Sequence, residues 1–166
     1  MAELTRFIPG SPAPQGSKRA RPIYRGKGDT REFTGKVAQT ESSKAVKPWR
    51  SDIRDALTDP HGQPIARFDG PVAVELAFVV KRPVGTPKTR ATPAAIKKPD
   101  LDKLVRAVFD AITSAGVWTD DSAAIDVHAT KRIAELGEPT GCRITIRDTT
   151  PIRPADVGPL TLEIPA

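Results

Sequence analysis

The pattern of apolar and polar positions predicts two helices. Apolar residues recur at every third or fourth position over residues 40–57 and again over residues 101–115, as on the buried side of an amphipathic helix. Pro48 interrupts the first pattern, so that helix either kinks there or starts near Lys47, because proline fits the first turn of a helix. Gly116 supplies a stop for the second helix.

The same pattern predicts four strands. Residues 72–80 are β-branched and apolar almost throughout, which is typical of a central strand buried on both faces. Residues 4–8, stopped by proline and glycine, predict a short edge strand. Apolar and polar residues alternate over 125–129, which predicts a half-buried strand. Residues 142–147 predict a last strand, and we expect these two to pair as a hairpin.

The remaining segments are rich in charge or proline. Residues 17–36 hold seven basic and two acidic residues with two aromatic residues between them. They are interpreted either as a mobile basic arm or hairpin that contacts phosphates and stacks on bases, or as a solvated loop. Residues 81–99 form a long loop rich in proline and lysine. From residue 148 onward four prolines and no periodicity predict a poorly ordered tail, so the predicted domain is residues 1–147.

Composition narrows the class of protein. The 166 residues carry 26 Lys and Arg against 20 Asp and Glu, a formal charge of +6 with a pI of about 9.7, which favours a polyanionic partner such as DNA. A single cysteine excludes an internal disulfide, and two histidines do not supply a structural zinc site. The first residues do not have the apolar core of a signal peptide, and the longest apolar run is too short to span a bilayer. We therefore expect no membrane partner and a location in the cytoplasm of a bacterium or a phage-infected cell.

Two pairs of aspartates flank the second helix. Asp100 and Asp102 lie in its first turn, and Asp120 and Asp121 follow its end. Asp100 alone has a structural explanation, because aspartate is a favoured N-cap and the helix dipole stabilises it there. Four exposed carboxylates in one segment, however, repel each other unless a cation gathers them. Such oxygen ligands suit Mg²⁺ or Mn²⁺, which can share a substrate phosphate and activate water for phosphodiester hydrolysis.

These motifs resemble those of the RusA family of Holliday-junction resolvases. The run from Lys98 to Leu104, KPDLDKL, is followed by Asp110-Ala111 and then by Gly116-Val117-Trp118 before the second aspartate pair. The family signature is K-P-D-x-D-N-L opening a helix, then D-A-L and a D-D pair. The match is close over residues 97–132 and loose elsewhere. The resemblance implies a homodimeric mixed α/β (α+β) fold with a small mixed sheet and two main helices. It also implies a Mg²⁺-dependent endonuclease, with Mn²⁺ as an alternative metal, that acts on four-way DNA junctions.

The resemblance also assigns residues. Carried over by position, the metal-binding carboxylates are Asp100, Asp102 and Asp121. The family's catalytic helix lysine falls on Arg106, which keeps the charge and changes its geometry. Its motif asparagine falls on Lys103, which places a cation where the family has a neutral amide.

Basic residues near these motifs and in the arm are candidates for DNA contact. They are Lys18, Arg19, Arg21, Lys97, Lys98, Lys103 and Lys131.

The predicted length of the second helix constrains the metal site. Fifteen helical residues span about 22 Å, so Asp121 is expected far from Asp100 and Asp102 of its own chain. In a two-fold dimer with this helix antiparallel to its mate, we expect a composite site made of Asp100 and Asp102 from one subunit and Asp121 from the other. The alternative is a site within one chain, in which the returning strand brings Asp126 to Asp100.

Other functions stay open at this point. One is a non-catalytic DNA-binding protein on the same scaffold, and another is a nuclease that acts on branched DNA generally. Residues 28–36 lack the spacing of a P-loop, so no nucleotide cofactor is expected. His128 is explained better as an ordinary strand residue than as a catalytic base, and Trp49 and Trp118 are expected to pack in the core or an interface.

Overall fold

The fold is mixed α/β, as predicted. The computed structural model describes residues 2–16, 18–41 and 44–150. The elements in these residues are, in chain order, β1 (Glu3–Pro9), β2 (Lys18–Arg25), β3 (Glu32–Glu41), α1 (Val46–Ala56), β4 (Val72–Val80), α2 (Leu101–Ser114), β5 (Ala124–Ile133) and β6 (Gly141–Asp148). Two short 3-10 turns, Gly28–Thr30 and Asp121–Ala123, lie between β2 and β3 and just before β5.

Four strands form the main sheet in the order β1-β6-β4-β5. β6 pairs antiparallel with both β1 and β4, whereas β5 pairs parallel with β4. The expectation that β5 and β6 form a hairpin is therefore wrong, because β4 lies between them. β4 is apolar enough to be buried on both faces, which suits an interior place, and α2 provides the crossover that a parallel pair requires. The predicted positions of β4 as a central strand and β1 as an edge strand are confirmed.

Both helices contribute to one hydrophobic core against the sheet. Alternate residues of β4 point into it, and Trp49 of α1 and Trp118 after α2 are almost fully buried there, as expected. The other large core residues come from β1, β6 and the inner sides of the helices, and include Leu4, Ile8, Ile53, Leu104, Val108, Ile112, Ile144 and Ile146. The core thus fixes α2, and with it both aspartate pairs, relative to the sheet.

The first helix is shorter than its apolar pattern. α1 begins at Val46, since the chain as far as Glu41 belongs to β3. The predicted start at residue 40 is wrong, and the alternative start near Lys47 is confirmed within one residue. Pro48 lies in the first turn, where its missing N–H leaves no hydrogen bond unmade.

The basic segment forms a hairpin. β2 and β3 pair antiparallel as a separate two-stranded sheet and contribute no residue to the hydrophobic core among the described residues. The hairpin extends to Glu41, beyond the predicted end at residue 36. Gly26 opens its connecting turn with φ of +93°, and a Cβ there would lie 2.2 Å from the carbonyl oxygen of Thr30. This turn therefore requires glycine.

Strand β5 lies at the open edge of the main sheet. The prediction of a half-buried strand is wrong for Ile125 and Val127, which are 39% and 44% exposed.

The loop over residues 81–99 has neither helix nor strand. Arg82 stabilises it by donating hydrogen bonds to the carbonyl oxygens of Pro87 and Arg90 at 3.1 and 2.7 Å. The predicted tail lies outside the described residues from residue 151 onward. Neither α-helix in the described part of the chain is long and apolar enough to cross a membrane.

Candidate metal and DNA site

The backbone of Asp100 forms the N-cap of α2, but its side chain does not cap the helix. Its φ and ψ of −72° and 139° are those of an N-cap, yet the carboxylate accepts no bond from the first-turn amides. Instead, Oδ2 accepts a hydrogen bond of 2.9 Å from Nζ of Lys103. This bond and the charge of Lys103 lower the pKa of Asp100, and the charges of Lys98 and Lys131 lower it further. A side-chain capping bond therefore does not explain why an aspartate stands at position 100.

Asp102 lies in the same first turn and is exposed. It makes no hydrogen bond or ion pair with the residues that the structure describes. The pKa of Lys103 is raised chiefly by its bond to Asp100 and also by the charge of Asp102, so its ammonium lies in the field of both carboxylates. Arg106, one turn further along α2, is exposed on the same side as Asp102. The start of α2 thus presents the carboxylates of Asp100 and Asp102 and the cations of Lys103 and Arg106 at the surface.

Lys131 ties strand β5 to the start of α2. Its Nζ donates to the carbonyl oxygen of Pro99 at 2.7 Å and to that of Lys97 at 3.0 Å. These bonds fix the backbone immediately before Asp100 and use two of the three donors of the ammonium group. Contact between Lys131 and DNA stays a prediction, and the bonds that the structure shows are with the protein's own backbone.

The structure does not favour the alternative metal site within one chain, in which strand β5 would bring Asp126 to Asp100. Asp126 precedes Lys131 by five residues, about 16 Å at the rise of a strand, and by alternation its side chain lies on the opposite face. His128 shares the face of Asp126, away from the start of α2. In the described residues no three His, Cys, Asp or Glu side chains are grouped closely enough to hold a metal.

The second aspartate pair lies beyond the far end of α2. The 14 residues of this helix span about 21 Å. Oδ1 of Asp120 accepts a 2.9 Å hydrogen bond from the backbone N–H of Ser122. The pKa of Asp120 is lowered chiefly by the Ser122 side chain and also by this backbone bond. Asp121 is exposed and makes no hydrogen bond or ion pair with described side chains. Within the described part of the chain, only Asp121 of this pair has a carboxylate without a hydrogen bond or ion pair.

Two further residues near α2 escaped the sequence analysis. Gln15 is 6% exposed, its backbone N–H donates to the carbonyl oxygen of Lys103 at 2.9 Å, and its buried Oε1 has no partner among the described atoms. Arg50 of α1 forms an ion pair of 3.3 Å with Asp110, so this aspartate of the motif links the two helices. Neither contact has a local sequence signal, because both join segments that are distant along the chain.

The remaining candidates for DNA contact occupy two regions. Lys97 and Lys98 are exposed just before Asp100, and Arg21 is exposed on the hairpin. The side chains of Lys18 and Arg19 lie outside the described part of the structure.

Comparison with known proteins identifies the family. The family model described as endodeoxyribonuclease RusA matches residues 9–147, most of the chain. The chain belongs to the RusA family. The RusA crossover junction endodeoxyribonucleases of Escherichia coli (strain K12) and Shigella sonnei (strain Ss046) are each 46% identical to it over 35 residues, which is 21% of this chain and 29% of each relative. The matched segment thus spans less than a third of these relatives, so family membership rests on the longer match to the family model.

The donors at the start of α2 fit a hard divalent cation. Asp100 and Asp102 supply carboxylate oxygens. Mg²⁺ and Mn²⁺ favour oxygen ligands of this kind. A cation bound here would compete with Lys103 for Asp100, because a carboxylate oxygen that binds a metal loses much of its attraction for an ammonium group.

Proposed function

We propose that this RusA-family protein is a Mg²⁺-dependent, structure-selective endodeoxyribonuclease. It would resolve four-way DNA junctions in recombination and repair by paired hydrolysis of phosphodiesters. The observation that supports this most is the first turn of α2, where Asp100 is bonded to a displaceable ammonium group and Asp102 is exposed. Carboxylates of this kind, beside exposed cations and in a chain of this family, suit metal-assisted cleavage of a polyanion.

Four side chains at or near the start of α2 each have a distinct part in the proposed mechanism. A bound cation would polarise the scissile phosphate and lower the pKa of a water molecule. Asp100 and Asp102 would hold that cation. Arg106 would face the phosphate and stabilise the negative charge that develops on it. Lys131 would keep the segment before Asp100 in place through its two backbone bonds.

We propose further that Asp121 of a second subunit completes each site. Helix α2 separates Asp121 from Asp100 within one chain. Strand β5, at the open edge of the sheet, exposes Ile125 and Val127 and offers both an unpaired edge and an apolar surface to a partner. A two-fold dimer makes every contact twice. Two equal sites would therefore form, one for each of the two cuts that resolve a junction.

Mixing two inactive variants tests the shared site. Asp100→Asn and Asp121→Asn homodimers should both be inactive, whereas their heterodimer keeps one complete site. After equal mixing and exchange about a quarter of the sites should be intact, seen as nicks in one strand of a labelled four-way junction. The matched control mixes Asp100→Asn with Asp102→Asn, which lie on the same side of the proposed interface and should stay inactive. A mixture of Asp100→Asn and Asp121→Asn that remains inactive would contradict sharing.

Cleavage of several substrates tests the activity itself. Four-way junctions, flapped duplexes and linear duplexes of the same sequence are incubated with Mg²⁺ or with EDTA. Paired nicks only in the junction and only with Mg²⁺ are expected. Cleavage of flaps at the same rate would point to a general branched-DNA nuclease, and binding without products would point to a DNA-binding module.

A further inference from the structure

The β2–β3 hairpin holds most of the net charge of the protein. Residues 18–41 contain seven basic and three acidic residues, a net charge of +4, out of +6 for the whole chain. The hairpin contributes nothing to the hydrophobic core in the described residues, so folding of the core does not explain its composition. A segment so charged and so separate from the core is suited to an external, negatively charged partner.

The hairpin has two different faces. Tyr24 pairs with Phe33 across the strands, and Pro22 pairs with Val37. The rings of Tyr24 and Phe33 lie next to each other and so share one face, and a register shift separates this pair from Pro22 and Val37. Phe33 is 54% exposed and Tyr24 is 43% exposed, so this aromatic face is open to solvent.

The opposite face carries two arginines. Along β2, Arg21 and Arg25 alternate with Tyr24 and lie on this face with the exposed Ile23 between them, in register with Ala38 and Glu32 on β3. The hairpin therefore presents two guanidinium groups on one side and two aromatic rings on the other.

Two aromatic rings and a guanidinium group lie together on the aromatic face. The ring centroids of Tyr24 and Phe33 lie 5.8 Å apart with their planes tilted by 58°. The guanidinium carbon of Arg31 lies 4.3 Å from the centroid of Tyr24. Aromatic rings and a guanidinium plane are the groups on which proteins stack nucleic-acid bases.

The charge of the hairpin decides among the partners that an exposed apolar face could have. Two copies of the hairpin would each bring +4 and repel each other, which disfavours pairing between copies of this chain. A polyanion is attracted instead. In a regular duplex the flat faces of the bases are stacked on each other, and they become accessible only where stacking or pairing is interrupted.

We infer that Tyr24, Phe33 and Arg31 form a stacking site for a base that is unpaired or unstacked at the branch point of DNA, while Arg21 and Arg25 contact the flanking phosphates. This inference rests on the proposed function, because it names how the same enzyme distinguishes a branch from a continuous duplex. Interrupted stacking is the feature that a branch has and a duplex lacks.

A fluorescent base at the branch point tests the stacking site. Binding is measured in EDTA, so that no cleavage occurs, with 2-aminopurine placed at the branch point of a four-way junction. The wild-type protein should change the fluorescence. The double variant Tyr24→Leu/Phe33→Leu, which keeps the apolar bulk and loses the rings, should abolish that change. It should also weaken junction binding roughly 10- to 100-fold while leaving duplex binding within about two-fold.

Two control variants separate stacking from general effects. Val37→Ala removes exposed apolar surface from the same hairpin without removing a ring and should leave both the fluorescence and the affinity unchanged. The pair Arg21→Ala/Arg25→Ala should weaken junction and duplex binding alike and reduce the salt dependence by about two contacts.

The outcomes distinguish this inference from the proposed function. If the leucine variant weakens junction and duplex binding equally, or keeps the fluorescence change, the stacking site is wrong even when the wild-type protein cleaves junctions. If the wild-type protein cleaves no DNA but the fluorescence change disappears in the leucine variant, the stacking site is supported and the nuclease proposal fails.

Discussion

The two ends of α2 each carry a pair of aspartates, and the two pairs are built differently. At the start, Asp100 is bonded to the ammonium group of Lys103 and Asp102 is exposed. Past the end, Asp120 is bonded to the backbone N–H of Ser122 and Asp121 is exposed. A flexible lysine side chain can move away when a metal ion arrives, whereas a backbone amide in a turn cannot. The first pair can thus offer both carboxylates to a cation and the second only one.

The largest effect is expected from removing an exposed carboxylate at either end. Asp102→Asn and Asp121→Asn should each lower single-turnover junction cleavage by roughly 10³-fold, because each removes a charged oxygen from the metal site. DNA binding in EDTA should persist. The matched control is Asp120→Asn, which keeps an oxygen for Ser122 and should cleave within a few-fold of wild type. Equal damage from Asp120→Asn and Asp121→Asn would remove the contrast between the members of the second pair.

A smaller effect is expected at the residue that holds the first pair in place. Lys131→Met removes two bonds to the backbone before Asp100 and should slow cleavage about 10- to 100-fold through misplacement of the carboxylate. Junction affinity in EDTA should stay within about two-fold. A parallel loss of affinity and cleavage would instead show that Lys131 contacts DNA, as its sequence position first indicated.

A gain is expected at Lys103. Lys103→Asn removes a positive charge bonded to Asp100 and should lower the Mg²⁺ concentration for half-maximal cleavage roughly three- to ten-fold. Lys98→Asn is the matched control, since Lys98 acts on Asp100 by charge alone and should shift the midpoint less. Mn²⁺ binding without DNA, measured by electron paramagnetic resonance, should show the same ranking: Lys103→Asn should strengthen metal binding more than Lys98→Asn does. A higher midpoint for Lys103→Asn would mean that the ammonium group supports the site and does not compete with the metal.

The smallest effect concerns the structural member of the second pair. Asp120→Ala removes the bond to Ser122 and should lower Tm by roughly 2–4 °C at pH 7. The folded state lowers the pKa of Asp120 below its ordinary value of 3.8. Its contribution is therefore complete above that value and disappears as the pH falls through the lower pKa of the folded protein. The Tm values of the wild-type protein and Asp120→Ala should therefore converge as the pH falls below about 4. A difference that persists in strong acid would assign the loss to something other than the ionised carboxylate.

Local periodicity and composition predicted much of this molecule. Helix α2 and strand β4 lie where the apolar pattern placed them, and the D-x-D and D-D motifs pointed to the family before any geometry was known. A helical face, a buried strand and a motif can all be recognised from residues that are close together in the sequence.

The sequence by itself determined the elements and the candidate carboxylates, and the tertiary structure decided which neighbours they have. Only the fold inserted β4 between β5 and β6, brought Lys131 to the carbonyl oxygen of Pro99 and placed Gln15 against α2. The fold also paired the side chain of Asp100 with Lys103 instead of with the first-turn amides of α2. Asp120, in contrast, makes a capping bond, to the backbone N–H of Ser122. The physical reason is that such contacts depend on packing the whole core at once: residues more than 30 positions apart meet only after the sheet and helices have assembled.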